Sequence, residues 1–412
     1  MIRRLRAMFG DPILMLLVMG VALLGVAMIY SAGQVDVPNR VVERAWRMQF
    51  VWLGISLVAL VVVMRVQVRW LEWFAPIAYG LGLASLALTL VIGTGAGTAA
   101  GTKSWLDFGP IRIQPAQFAN IATVLMLGRV MGNWGESPRS LLSLWKPLAI
   151  VAVPMLLVVA QPDLGTAMVF GGIMLATFFW AGTPVPILVM LVSPLGALFL
   201  AFHYTAFTIY MVVLIGFLYA YRMRLWESVL VLFANLAAGT VAVPLWNSLE
   251  DYQRNRFIVF RDPYIDPQGA GYQQIQSRIA IGSGGFLGRG FTQGPQKRLA
   301  FLPELHTDFI FAVIGEELGF IGALVVVAAF AGILWRLAKL AERTSDPFAG
   351  ILVFGIFGAW FTHIVVNIGM TLGVMPITGI PLPFLSYGGS FLLATFIALG
   401  IAERVASEQG RI

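Results

Sequence analysis

The sequence predicts an all-α, polytopic integral membrane protein, and three observations predict it. Hydrophobic residues fill 59% of the 412 positions and charged residues only 11%, too little charge to cover a water-soluble globule of this size. Twelve apolar runs approach or exceed the roughly twenty residues that a helix needs to cross a hydrocarbon core. Only one segment, Glu250 to Thr307, is both long and polar.

The runs lie at about 12–32, 48–66, 74–95, 116–133, 146–160, 165–182, 184–203, 206–222, 225–247, 309–336, 348–372 and 384–405. The first follows the basic start MIRRLRAMFG. A signal peptide is the rival reading there. The run exceeds a signal h-region and no small-residue cleavage site follows it, so it is read as a retained span. The fifth to ninth runs are separated only by short connections such as AGTPVP and HYTA. No fixed-period repeat or low-complexity linker divides the chain, so residues 1–412 are expected to form one membrane domain, with a long loop over about 248–307.

A net charge of +7 would suggest nucleic acid in a soluble protein. Here the basic residues sit at the ends of apolar runs, so they orient the chain and no nucleic-acid partner is expected. With the N-terminus placed in the cytoplasm, Arg3, Arg4, Arg6, Arg65, Arg69, Arg129, Arg139, Lys146, Arg222, Arg224, Arg336, Lys339, Arg343, Arg404 and Arg411 fall inside. Only Arg40, Arg44, Arg47, Lys103 and Arg112 fall in short outer loops. This orientation puts KSWLDFGPIRIQP, QPDLGT, the 250–307 segment and PITGIPLPFLSYGGS on one outer face, and both termini inside. The absence of cysteine excludes disulfides, thiol nucleophiles and iron–sulfur ligation. Three histidines, His203, His306 and His363, are too dispersed to suggest a metal site.

The polar segment concentrates the chemistry. In DPYIDPQGAGYQ two Asp-Pro pairs precede glycines, a pattern of turns and close backbone approach. Asp262 reads as a turn starter; Asp266 is either that or a carboxylate poised as a general base. GSGGFLGRG would let backbone N–H groups reach a phosphate, but it matches neither the P-loop nor the dinucleotide fingerprint. Arg278, Arg289, Lys297 and Arg298 are the cations suited to a diphosphate, or else a headgroup-facing basic surface.

Beyond it, LPELHTDFIFAVIGEELGF places Glu304, His306 and Asp308 at the start of a span, with Thr307 or Asp308 expected as the helix cap. Glu316 and Glu317 fall inside the apolar pattern, where carboxylates pair or function. Lys103, Trp105 and Asp107 share an outer loop, with Trp105 also reading as an interfacial aromatic. Asp163 sits at a hairpin tip, where capping is the competing role. The prolines and YGGS of PITGIPLPFLSYGGS, including Ser386, describe a rigid non-helical segment that lines a cavity or the surface. His363 and Asn367 share one helix face as a packed polar pair.

Taken together, QPDLGT, DPQGAGYQQIQSRIAIGSGG, FLPELHTDFIFAVIGEELG and GIPLPFLSYGGS resemble the SEDS family of bacterial cell-wall polymerases. The wording IAIGSGG is similar to the elongation branch more than to the division branch. The resemblance implies a helix bundle of ten to twelve spans in the bacterial cytoplasmic membrane. It implies a peptidoglycan glycosyltransferase that polymerises lipid II on the outer face, within the elongation machinery and beside a class B penicillin-binding protein. The family's essential aspartate corresponds to Asp266. Lys103, Trp105, Asp163, Gln276, Arg278, Arg289, Lys297, Glu304, His306 and Ser386 are then expected to bind substrate, with no dedicated protein metal site. A divalent cation, Mg or Mn, is the one cofactor for which there is room, with Asp266 as its ligand instead of the base. Two features depart from the pattern: QPAQFAN places Ala116, Gln117 and Asn120 where the family commonly has Ser, Glu and Lys, and twelve runs stand against the usual ten. A lipid-precursor flippase and a non-catalytic scaffold are the alternatives, the first motivated by Glu316 and Glu317.

Overall fold

A computed structural model describes residues 10–36, 40–95, 103–109, 111–134, 138, 140–249, 251–269, 271–299, 301 and 303–409. Each of the twelve apolar runs forms a helix. α1 spans Pro12–Ala32, α2 Arg40–Arg65, α3 Val68–Ile92, α4 Pro115–Gly132, α5 Trp145–Val159 and α6 Leu164–Trp180. α7 spans Val185–Leu200, α8 Tyr204–Tyr221 and α9 Leu225–Ser248. The polar segment holds three short helices, α10 (Asp251–Arg261), α11 (Tyr272–Gly284) and α12 (Pro295–Arg298). α13 (Ile310–Arg343), α14 (Pro347–Leu372) and α15 (Gly389–Gln409) complete the bundle.

Among the described residues nine helices are long and apolar enough to cross a membrane. α6 and α7 are apolar but shorter, at 17 and 16 residues. α4 has 18 residues and carries Gln117 and Asn120 in its first turns. The all-α expectation has one exception, a hairpin of β1 (Leu106–Phe108) and β2 (Ile111–Ile113), in which Asp107 pairs with Arg112. Arg3, Arg4, Arg6, Arg139 and Arg411 lie outside the described residues.

α14 and α15 form the centre, with 72% of each spanning window buried against 11% for α8. Small residues bring the central helices together, as membrane packing requires where lipid supplies no hydrophobic drive. Gly172 on α6 lies against Gly358 and Thr362 of α14, and Gly355 lies against Val124 and Thr177. α7, α8 and α9 carry a separate small core of Met190, Leu214, Leu218 and Val231. Inside it, the Tyr210 hydroxyl donates to Ser193 O at 2.5 Å and Asn235 Nδ2 donates to Ser193 Oγ at 2.8 Å. An apolar cavity of about 870 Å³ separates this group from α6 and α14, lined among others by Ala176, Phe179, Phe354 and Phe361.

The two ends of the bundle differ. At one end Asp11 caps α1 through Ile13 N and Leu14 N at 3.1 and 3.2 Å, pairs with Arg336 of α13, and donates its own N–H to Glu403 Oε2 of α15 at 2.6 Å. Arg129 and Arg404 bind backbone carbonyls at this end too. At the opposite end the hairpin, the α5–α6 turn, the polar segment and residues 376–388 come together.

Candidate functional site

The head of α13 explains most of the polar segment. Gly319 interrupts α13 with φ 66° and ψ −163°, a conformation that only glycine adopts readily. The break frees carbonyls in residues 316–317, and the glycine-rich turn binds them: Arg289 N donates to Glu316 O at 2.9 Å and Gly290 N to Glu317 O at 3.0 Å. Phe320 N and Ile321 N return bonds to Gly285 O and Phe286 O at 2.9 and 3.2 Å. The glycines therefore serve a backbone-to-backbone lock, and these N–H groups are not turned to a phosphate.

Glu316 and Glu317 complete the lock. Glu316 accepts from Gln296 N at 2.7 Å and Lys297 N at 3.3 Å, so it caps α12. Lys297 Nζ lies 2.5 Å from Glu317 Oε1, both side chains have 0% exposure, and Ser31 Oγ of α1 joins them at 2.6 Å from Glu317 and 2.9 Å from Lys297. Lys297 is thus corrected from a diphosphate ligand to a buried structural cation, because its charge is spent inside the protein. The same pairing removes the motive for a flippase, since both buried carboxylates have partners.

Asp266 lies in the connection between α10 and α11 and is partly exposed. The 3-10 turn Pro263–Ile265 that delivers it is capped by Asp262, whose Oδ1 accepts from Tyr264 N at 3.0 Å. Gly269 N donates to Asp266 Oδ1 at 3.0 Å and Gly271 N to Asp266 O at 2.9 Å. A Cβ at position 269 would overlap the carboxylate, so glycine there lets the turn close on it. α11 is fastened across the end of α14: Ser277 Oγ donates to Thr371 O at 2.8 Å and Arg278 Nη2 to Gly373 O at 2.9 Å.

A second cluster of carboxylates forms where the α5–α6 turn, residues 303–309 and residues 376–388 meet. Asp163 caps α6 through Thr166 N at 3.0 Å and accepts from Thr166 Oγ1 at 2.9 Å and Gln114 Nε2 at 3.1 Å. Burial pushes its carboxyl up, and these donors oppose the shift. Asp308 is pushed up to about 7, first by burial and then by Glu304 and Asp163, with Arg256 of α10 opposing. Residues 303–309 form turns, and the cap residue of α13 is Phe309 with no side-chain bond. Neither Thr307 nor Asp308 therefore caps the helix as the sequence suggested. Glu304 itself has φ 52° and accepts from Thr307 Oγ1 at 3.1 Å.

His306 is buried against the Tyr387 ring at 5.2 Å; burial lowers its pKa and Glu304 pulls it back up. His306 Nδ1, Gln276 Oε1 and Thr378 Oγ1 have no hydrogen-bond partner among the described residues. Ser386 is corrected from a ligand to a clasp: its Oγ donates to Thr307 O at 2.6 Å and accepts from Leu382 N at 2.9 Å, with 1% exposure. Lys103 and Arg289 are exposed, and Trp105 pairs through its backbone with Thr94 in the hairpin loop. The structure so brings Asp163, Glu304, His306 and Asp308 together, with Arg256 as a contributor that the sequence did not single out. Arg256 and Asp308 are 52 positions apart, and no local pattern signals such a meeting.

A helical bundle with this many membrane-length apolar helices, one acidic and basic loop folded over a single end, defines a class of polytopic membrane protein. A sequence profile of the FtsW/RodA/SpoVE family, described as cell cycle protein, matches residues 12–208 and 185–411. The chain is similar to the peptidoglycan glycosyltransferase MrdB of Escherichia coli K12, 35% identical over 395 residues that cover 96% of this chain and 93% of MrdB. It is 32% identical to the peptidoglycan glycosyltransferase RodA of Treponema pallidum, covering 97% of this chain and 98% of that protein. A solved chain of a peptidoglycan synthase complex that coordinates polymerization and crosslinking superposes with TM-score 0.70 at 30% identity, over 97% of this chain and 98% of that one. RodA of Thermus thermophilus superposes with TM-score 0.62 at 26% identity, over 97% of both chains. The chain belongs to the FtsW/RodA/SpoVE family, the SEDS family that its motifs resemble, and is a multi-pass bacterial membrane protein.

Proposed function

We propose that this chain is a peptidoglycan glycosyltransferase that joins lipid II units into glycan strands during cell elongation. The observation that carries the reading is Asp266: a partly exposed carboxylate, fixed by Gly269 and Gly271, on the loop folded over the polar end of the bundle. In an inverting transfer its carboxylate takes the proton from the acceptor hydroxyl as that oxygen bonds to the donor's anomeric carbon and the bond to the lipid diphosphate breaks. Arg289, an exposed cation on the glycine-rich turn of the same loop, is the residue we assign to the departing diphosphate as undecaprenyl diphosphate leaves. Holding both substrates against a rigid turn lowers the entropy cost of the encounter.

Among the described residues no three Asp, Glu or His side chains converge to hold a metal ion. No step is routed through a divalent cation. The basic residues at the end opposite Asp266 support an orientation with the site on the extracytoplasmic face and both termini inside. The synthase complex among the solved relatives supports a crosslinking partner, a class B penicillin-binding protein. Similarity to MrdB and RodA supports the elongation role.

The test is polymerisation of lipid II by the purified chain, with and without that partner, for the wild type and Asp266→Asn at equal folded yield. Loss of roughly 10²-fold or more in rate is expected for the variant. Strands made equally by both proteins would remove Asp266 from the mechanism.

A further inference from the structure

Two polar clamps between α1 and α13 mark the depth of the membrane. At the loop end Ser31 Oγ donates to Glu317 at 2.6 Å, and at the other end Asp11 pairs with Arg336. Glu317 and Arg336 are 19 positions apart on α13, and Asp11 and Ser31 are 20 apart along α1. At 1.5 Å per residue each interval is about 28–30 Å, the thickness of a hydrocarbon core. Phe320, Ile321, Leu324 and Val325 therefore lie just inside the loop-side boundary, and their 45–61% exposure is to lipid. The glycine-rich turn reaches the same depth. Phe320 N donates to Gly285 O at 2.9 Å and Ile321 N to Phe286 O at 3.2 Å, and the Phe286 and Phe320 rings are 5.4 Å apart. At the tip of this turn Phe286 and Leu287 are 71% and 79% exposed.

We infer that this turn is a membrane-docking tip: Phe286 and Leu287 enter the acyl chains of the adjacent leaflet, and Arg289 stands in the headgroup layer above them. Non-helical backbone is tolerated at such depth only where protein satisfies its polar groups. Here Gly288 N donates to Gly284 O at 2.9 Å, Arg289 N and Gly290 N donate to Glu316 O and Glu317 O, and the carbonyls of Gly285 and Phe286 accept from α13. The lock thus meets the bonding needs of the turn while its tip offers lipid only apolar side chains. Arg289 N meets Glu316 O, so its exposed side chain starts at the boundary, where a guanidinium complements lipid phosphates. An aromatic layer marks the same level: Tyr30, next to Ser31, stacks on Phe291 of the loop at 6.5 Å and meets Trp46 of α2 edge-on at 5.6 Å. In water the tip and the α13 residues beside it would form a contiguous apolar patch, which soluble surfaces avoid. The docking holds the loop that carries Asp266 against the bilayer. One consequence alone rests on the polymerase reading: Arg289 stands at the depth of a lipid-linked diphosphate.

The test places one nitroxide spin label at a time on the full-length chain, which has no native cysteine, in nanodiscs of phosphatidylethanolamine and phosphatidylglycerol. Leu287→Cys is compared with Val212→Cys, 64% exposed on α8, and with Lys103→Cys in the exposed hairpin loop. Relaxation by oxygen, which concentrates in acyl chains, is measured against relaxation by a water-soluble nickel chelate. The Leu287 label is expected to follow Val212, with oxygen dominant, and Lys103 to show the reverse. A Leu287 label relaxed mainly by nickel places the tip in water and overturns the proposal. A label relaxed by neither is covered by protein, a second copy of the chain, and overturns it equally. The unlabelled variants give a second readout: a thiol in apolar surroundings forms little thiolate, so Leu287→Cys should react with a polar maleimide roughly tenfold more slowly than Lys103→Cys. Equal rates in the folded protein, with equal rates again after denaturation, also overturn it. Neither readout uses polymerisation, so a failure of the tip and a failure of Asp266 as base are seen separately.

Discussion

Asp308 shows how a single residue can be read correctly in type and wrongly in role. Its place ahead of an apolar run suggested a helix cap, yet the chain turns before the helix starts and carries the carboxyl into a cluster. Burial first, and then the neighbouring Glu304, push its carboxyl up from the ordinary 3.8 to about 7. Protonation therefore favours the folded state: this contribution is complete below pH 3.8 and is lost as pH rises through about 7. Asp308→Asn, which cannot ionise, should raise the melting temperature relative to wild type at pH 8 and give a much smaller difference at pH 5. An equal difference at both pH values would show that burial does not penalise the charge.

At the scale of elements, the broken head of α13 ties together α1, the glycine-rich turn and α12. Its energetics are those of a buried ion pair, where removing one partner strands a charge and costs about 3–5 kcal/mol. Lys297→Met should therefore lower the melting temperature sharply, while Lys297→Met with Glu317→Met should recover much of the loss. A double variant as unstable as the single one would place the cost in packing instead. Gly319→Ala tests the kink together with the turn locked against it, since a Cβ there would also overlap the Gly288 backbone N. An alanine at φ 66° and ψ −163° costs on the order of 1–3 kcal/mol, which thermal unfolding in detergent would read as a lowered midpoint.

For the whole molecule, helix direction alone places Tyr264 and Lys339 at opposite ends of the bundle. Because the chain has no cysteine, single substitutions report sidedness without interference. A membrane-impermeant maleimide applied to intact cells or spheroplasts should label Tyr264→Cys, whose ring is 72% exposed, and should spare Lys339→Cys until the membrane is opened. The reverse pattern would invert the assigned topology and remove the site from the outer face.

Much of this was legible in the sequence because it depends on local properties. Hydropathy summed over about twenty residues finds membrane spans, and all twelve runs became helices, even across AGTPVP and HYTA. The motifs likewise marked the family and the polar segment. Lys297 and Ser386 were misread because their partners are remote: Glu317 and Ser31 for the first, Thr307 for the second. A basic or hydroxyl residue in a polar loop looks the same whether it faces solvent or an interior partner. The sequence by itself determined a multi-span bundle with one chemically active loop, since span length and polarity are properties of short stretches. Only the tertiary structure decided which charges neutralise one another, because pairing and burial depend on positions as much as 392 residues apart.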